Sequence, residues 1–292
     1  MRLVRGFVKI SRLEHGVLTA LTVDSAYLLA GGKNPLVLAT LALSSLFAEV
    51  FLFVTNDIHN LEEDSINRPD APLVTGLVKV GEAWVIAYAS LAISLIQVLP
   101  VALGYAQPLS LVILALALTL GYAYNVGLKR RLIVNNVSVA LVSSLTYLYG
   151  LFSAENPPGG ALRFLTALFL VTMVASLGRE VGKGSIDVDG DLKVGIRTIA
   201  STYGVGASNK VSSALILAAV ALSPLIMLYS IDYSPMPGIV FSSFVAVTDA
   251  IMVALSVRLL KGSLKGFRGL SLAAMGLTLL GFLIYAVLAT FT

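Results

Sequence analysis

Two adjoining pieces of sequence decide the fold: LVLATLALSSLFAEVFLFV, residues 36–54, and TNDIHNLEEDSINRPDAPLVTG, residues 55–76. The first contains one charged residue, Glu49, and approaches the roughly 20 apolar residues that a helix needs to cross a bilayer. The second crowds Asn56, Asp57, Asn60, Glu62, Glu63 and Asp64 into a few turns. The same succession recurs later, where an apolar run ends at Leu177 and GREVGKGSIDVDGDLKVGIRT, residues 178–198, follows. Two acidic segments closing two membrane-length helices, the first of them rich in amides, are what the function has to explain.

The bulk composition agrees with a membrane setting. Of 292 residues, 57% are hydrophobic and 12% charged, and the mean hydropathy is +0.91. Soluble domains carry about 25% charged residues, so a water-soluble core with a polar coat is excluded. A membrane β-barrel would show short alternating segments, and these runs are long and continuous. Without cysteine there are no disulfides or thiolate metal sites. The net charge of +4 is no nucleic-acid signal; it reflects where Lys and Arg stand relative to the membrane.

Outward from residues 36–76, the apolar runs predict spans at 17–31, from 36 to the first polar stretch, and at 83–99, 108–124 and 134–152. Further spans follow from 161 to the second polar stretch and at 211–229, 238–259 and 269–291. The expected fold class is therefore an all-α membrane protein, a single bundle of nine transmembrane helices around a central cavity, with residues 1–292 as one domain. Small residues such as Gly269 and Ala273, four apart, are expected to pack helices closely. With nine spans, every Lys and Arg except Lys33 and Arg163 falls on one side. By the positive-inside rule that side is cytoplasmic. It carries the N-terminus and both acidic stretches, and the C-terminus lies outside.

The acidic stretches carry a register. Asn56, Asn60 and Asp64 stand at i, i+4 and i+8, which places three oxygen-bearing side chains on one helical face. Arg179, Lys183, Asp187 and Asp191 repeat that spacing. A solvated loop between spans requires no such register. Oxygen ligands without His or Cys suit a hard cation, and magnesium bridges carboxylates to substrate phosphates. Carboxylates at a helix C-terminus face the negative end of the macrodipole, at a cost of about 0.3–1 kcal/mol each; a bound cation reverses that sign.

These stretches resemble the paired motifs of the UbiA superfamily of intramembrane prenyltransferases. The pattern N-D-x-x-D-x-x-x-D-x-x-N-x-P-x-R-P is similar to Asn56-Asp57…Asn60…Asp64…Asn67-Arg68-Pro69…Pro72…Gly76. The pattern R-E-x-x-K-D-x-x-D-x-x-G-D-x-x-x-G-x-x-T is similar to Arg179-Glu180…Lys183…Asp187…Gly190-Asp191…Gly195…Thr198. Tyr124-Asn125…Leu128-Lys129 resembles the family's Tyr/Lys step after its fourth helix. Within the superfamily, the R-E-x-x-K opening and Arg12…His15-Gly16 resemble the branch that makes archaeal digeranylgeranylglyceryl phosphate. Asn60 and Gly184 stand where the family has Asp, and Ala71 where it has Arg, so this chain carries less formal negative charge.

The resemblance implies a magnesium-dependent enzyme that transfers a prenyl group from its diphosphate to a lipid-like acceptor, within the bilayer and without nucleic acid or an obligate protein partner. It implies metal ligation by Asn56, Asn60, Asp64, Asp187 and Asp191, with the three aspartates also catalytic. Lys129 and Arg68 would charge-stabilise the leaving group, and the ring face of Tyr124 the allylic cation. Asn67, Arg179, Lys183, Arg12 and Arg197 complete the substrate-binding set. An aromatic acceptor for quinone synthesis is the alternative within this class. A divalent-cation transporter is the alternative outside it, disfavoured by acids confined to one surface beside many Lys and Arg. Asp24, Glu49 and Asp249 lie inside spans; Glu49, seven before Asn56, is expected to share its face and line the cavity. His15 and His59 read as interfacial polar residues, Trp84 as an interface anchor, and the basic loop 258–268 as a topology signal.

Overall fold

The computed structural model describes residues 2–193 and 195–291, the side chains of residues 3, 4, 66, 67 and 291 excepted. The described residues form thirteen α-helices and no strand. Helix α1 (Arg2–Ser11) is the basic amphipathic opening, and it packs against α3 through a buried Ile10. Arg12, in the left-handed region at φ 45, separates it from α2 (Leu13–Leu29).

Helix α3 (Pro35–His59) is the predicted span of residues 36–54 with its polar extension. Its start follows from local chemistry: the Asn34 side chain accepts from Leu36 N at 2.9 Å, and Pro35 occupies the first turn, where a missing N–H costs nothing. At Asn60 the helix kinks, and α4 (Leu61–Asn67) continues. Asn60 N bonds Asn56 O at 2.9 Å and Asp64 N bonds Asn60 O at 2.7 Å, so the four-residue spacing survives the kink. The chain then turns at Gly76, whose φ of +68 suits a residue without Cβ.

Helices α5 (Val80–Ser94) and α6 (Val98–Ala102) flank a 3₁₀ turn at Leu95–Gln97. The predicted stop near Pro100 is displaced, because the tighter turn accommodates the proline ring and the helix runs on to Ala102. Next come α7 (Leu109–Val126), a 3₁₀ turn at Leu128–Arg130, α8 (Val134–Leu151) and α9 (Gly159–Lys193). The second acidic stretch is thus helical through Lys193. At 35 residues, α9 is about 52 Å long and outruns a hydrocarbon core of about 30 Å, so Arg179 to Asp191 sit on its projecting end. Short α10 (Ile199–Tyr203) precedes α11 (Val205–Tyr233), α12 (Pro235–Leu260) and α13 (Phe267–Phe291).

Among the described residues, seven helical segments are long and apolar enough to cross a membrane: α3, the α5–α6 unit, α7, α9, α11, α12 and α13. The expected nine include α2 and α8 as well. Helix α2 has 17 residues, about 25 Å, and α8 carries Asn135, Asn136 and several hydroxyl residues. Both nevertheless pack within the bundle. Helix α2 lies against α3, α8 and α13, while α3 meets α5 and α7. From α7 the packing passes to α8, α9, α11, α12 and α13, and α13 returns to α2, closing the circuit.

Glycines set the closest approaches. A Cβ on Gly150 of α8 would fall 2.2 Å from Val23 O of α2, and one on Gly182 of α9 would fall 2.5 Å from the Phe267 ring. The expected packing at Gly269 and Ala273 is not found. Both are exposed, and a Cβ on Gly269 would meet nothing within 4 Å. Spacing by four defines a face of α13, but the bundle buries the opposite one, with Ala274 and Phe282.

Candidate active site between two acidic helix ends

A directed chain of hydrogen bonds organises the end of α3. The Lys129 ammonium donates to Asn60 Oδ1, Asn60 Nδ2 to Asn56 Oδ1 at 3.1 Å, and Asn56 Nδ2 to Asn125 Oδ1 at 2.9 Å. Asn125 Nδ2 ends the chain on Leu52 O at 2.8 Å and Thr55 Oγ1 at 2.9 Å. Each amide orientation is thereby set by the one before it, starting from a cation that can only donate. Lys129 is 7% exposed and also holds Glu63, at 2.9 and 3.0 Å from its two carboxylate oxygens.

Asp57 and Asp64 of this end are held by arginines. Arg12 reaches from the α1–α2 break to Asp57 Oδ1 at 2.6 Å, its guanidinium 4.7 Å from the Phe53 ring centre. Arg68 lies 3.6 Å from Asp57 and 3.5 Å from Asp64. On α9, Glu180 pairs with Arg179 at 2.9 Å and Lys183 at 2.8 Å, and Asp187 pairs with Arg268 of α13.

The two ends meet. Asp191 of α9 feels the charge of Asp187 and of Glu63 on α4, and bonds the Thr198 side chain. Tyr124 of α7 stands within electrostatic reach of Glu180, Asp191 and Glu63 together. Between them opens a cavity of about 360 Å³. Asn56, Tyr124, Asn125, Glu180, Lys183 and Glu49 line it.

Of the residues singled out by sequence, Asn56, Tyr124 and Lys183 line this cavity, while Asn60 and Lys129 join it through the amide chain. Asp64 and Arg68 pair with each other, and Asp64, Asp187 and Asp191 are not among the residues that line it. Arg12 engages Asp57, which stands one residue off the Asn56, Asn60 and Asp64 register. Arg179 belongs to the Glu180 ion-pair cluster. Arg197 is exposed and pairs with nothing among the described residues, and the side chain of Asn67 lies outside them. Asn125, Glu63 and Arg268 were missed as site residues. Asn125 adjoins Tyr124 in the quoted motif, but nothing in sequence announces the cross-bundle reach of Lys129 and Arg268. Among the set-aside residues, His59 lies edge-on to Trp84 and Tyr122, His15 against Phe53, and Asp249 accepts from Ser223 at 2.5 Å.

Among the described residues no three His, Asp or Glu side chains converge tightly enough to hold a metal ion by themselves. The donor chemistry still suits a hard divalent cation. It is all oxygen, drawn from two helix ends, and the charges of Asp187 and Glu63 both act against ionised Asp191, which added positive charge relieves. Anionic helix ends, the Lys and Arg side chains beside them and an adjoining apolar bundle can bind a phosphorylated head with a hydrocarbon tail. The class defined here is a multi-pass helical membrane enzyme acting on such a molecule.

Comparison with known proteins makes the class specific. The model of the UbiA prenyltransferase family matches residues 17–263. The chain belongs to that family and is a prenyltransferase. It is similar to the digeranylgeranylglyceryl phosphate synthase of Metallosphaera sedula, 31% identical over 229 residues that cover 76% of this chain and 77% of that one. Against the enzyme of the same name from Methanoculleus marisnigri, identity is 30% over 280 residues, 94% of this chain and 89% of that one. Its fold matches a solved structure of digeranylgeranylglyceryl phosphate synthase with a TM-score of 0.78 at 23% identity, over 98% of this chain and 99% of that one. A UbiA homolog from Archaeoglobus fulgidus, bound to GPP and Mg2+, matches at 0.70 and 18% identity, over 98% of this chain and 100% of that one.

Proposed function

We propose that this prenyltransferase moves a prenyl group, geranylgeranyl, from its diphosphate to the free hydroxyl of geranylgeranylglyceryl phosphate in the synthesis of membrane ether lipids. One observation supports the reading above the others: Asn56 of α3 and Glu180 and Lys183 of α9 line a common cavity, and Asp191 of α9 lies in electrostatic reach of Glu63 on α4. The near full-length similarity to digeranylgeranylglyceryl phosphate synthases supports the acceptor.

Asn56, Asn60, Asp64, Asp187 and Asp191 would hold Mg2+, which would supply positive charge to neutralise a diphosphate. Lys129 and Arg68 would stabilise the charge that develops on the leaving group. Departure with the bonding electrons leaves an allylic cation. The Tyr124 ring would face it, and the packed helices would exclude the water that could quench it. Arg179, Lys183, Arg12, Arg197 and Asn67 would hold the acceptor's phosphate, and its hydroxyl oxygen would bond to the cation and lose its proton.

The bundle would be a single domain of nine spans around a central cavity, with the N-terminus and site cytoplasmic and the C-terminus outside. The one-sided distribution of Lys and Arg supports this. The chain has no cysteine, so single-cysteine labelling tests it. An impermeant maleimide added outside cells should label Lys33→Cys and spare Lys261→Cys; the reverse overturns the topology.

Purified protein with labelled geranylgeranyl diphosphate and Mg2+ tests the reaction. The label should pass to geranylgeranylglyceryl phosphate and not to hydroxybenzoate. Transfer to the aromatic acid alone would favour quinone synthesis. Divalent-ion flux across vesicles without isoprenoid turnover would favour the transporter.

A further inference from the structure

Glu49 occupies a place that the proposed reaction leaves unassigned. It lies seven residues before Asn56 on α3, two turns or about 10 Å deeper along the helix. Two hollows meet at its level. The one described above has a polar head built by Asn56, Tyr124, Asn125 and Lys183. The other, about 50 Å³ and mostly apolar, lies among Val23, Ile113, Leu114 and Leu145. Glu49, Leu52 and Val142 line both. A molecule with a diphosphate in the head and a hydrocarbon tail in the apolar part carries its reacting carbon at that junction.

The cavity has two carboxylates, Glu49 and Glu180. Glu180 is bound by both Arg179 and Lys183. Of the other acids near the helix ends, Asp57, Glu63, Asp64 and Asp187 each hold a Lys or Arg, and Asp191, which lines neither hollow, bonds Thr198. Glu49 pairs with neither among the described residues. Its partner is a hydroxyl, Thr19 Oγ1, donating to Oε1 at 3.0 Å, which leaves the second oxygen able to accept. His15, one turn before Thr19 on α2, is in electrostatic reach of the carboxylate and exposed on its outer side.

We propose that Glu49 is the group that takes the proton from the acceptor's hydroxyl. This rests on the prenyl-transfer reading above. The bond between the prenyl carbon and the diphosphate oxygen breaks, and its electron pair leaves with the diphosphate. The hydroxyl oxygen then bonds to that carbon while its proton passes to Glu49, and from there past His15 to water. The two products are the ether and the free diphosphate.

The test separates proton removal from bond cleavage. Glu49→Gln keeps the shape and an oxygen for Thr19 but cannot take a proton. Transfer to geranylgeranylglyceryl phosphate is measured beside positional exchange of an oxygen isotope in geranylgeranyl diphosphate, which reports cleavage without the acceptor. Glu49→Gln should lower transfer by about 10²–10⁴-fold, the usual share of general base catalysis, with exchange within about tenfold of wild type. Equal loss of transfer and exchange would overturn the proposal, as would transfer at the wild-type rate. Exchange without transfer in the wild-type protein would instead remove the acceptor assignment, and Glu49's role with it.

Discussion

The Lys129 ammonium, on the turn after α7, stands 2.9 Å from Glu63 Oε1 on α4 and donates to Asn60 at the end of α3. One buried cation therefore ties two helix ends and orients the amides that follow. Lys129→Met should cost about 1–3 kcal/mol of stability, since the partly buried Glu63 keeps only the longer contact to Arg130 at 3.6 Å, and lower kcat by about a hundredfold or more. Lys129→Met with Glu63→Gln should recover the thermal midpoint in detergent without recovering turnover. Recovery of both would make Lys129 purely structural.

The Arg68–Asp64 pair is of the opposite kind. At 3.5 Å, with Arg68 46% exposed, it contributes under about 1 kcal/mol. Asp64→Ala should leave the thermal midpoint nearly unchanged and reduce turnover by about a thousandfold. Asp191→Ala should behave alike. Full activity in either variant would remove the shared-cation site.

Asn60 and Gly184 test the missing charge. In Asn60→Asp the Nδ2 donor becomes an acceptor facing Asn56 Oδ1, a clash of about 1–3 kcal/mol. Its thermal midpoint should fall in chelator and rise more steeply than wild type as Mg2+ is added. Gly184→Asp adds a Cβ at an ordinary 3.6 Å from Thr198, so it should fold normally. It should lower the Mg2+ concentration for half-maximal rate by up to about tenfold. An unchanged requirement in both variants would place the metal elsewhere.

Glycine substitutions separate packing from spacing. Gly150→Ala drives a methyl into the Val23 carbonyl, 2.2 Å away, and should destabilise by about 3 kcal/mol. Gly269→Ala meets open space and should stabilise by about 0.5–1 kcal/mol. Thermal unfolding of the two in one detergent decides, and equal shifts would show that α2 and α8 do not approach as described.

Sequence by itself determined the helical membrane class, the two acidic helix ends and the four-residue register of Asn56, Asn60 and Asp64. These depend on apolar run length and on neighbours one or two turns apart, which local physics specifies. It did not determine which cation answers which acid. Arg12 and Asp57 are 45 residues apart, Lys129 and Glu63 66, and Arg268 and Asp187 81. Nor did it determine that α13 buries Ala274 and turns Gly269 outward. Those pairings exist only once the helices pack, because a long flexible Lys or Arg can reach several carboxylates and the rotation of each helix chooses among them.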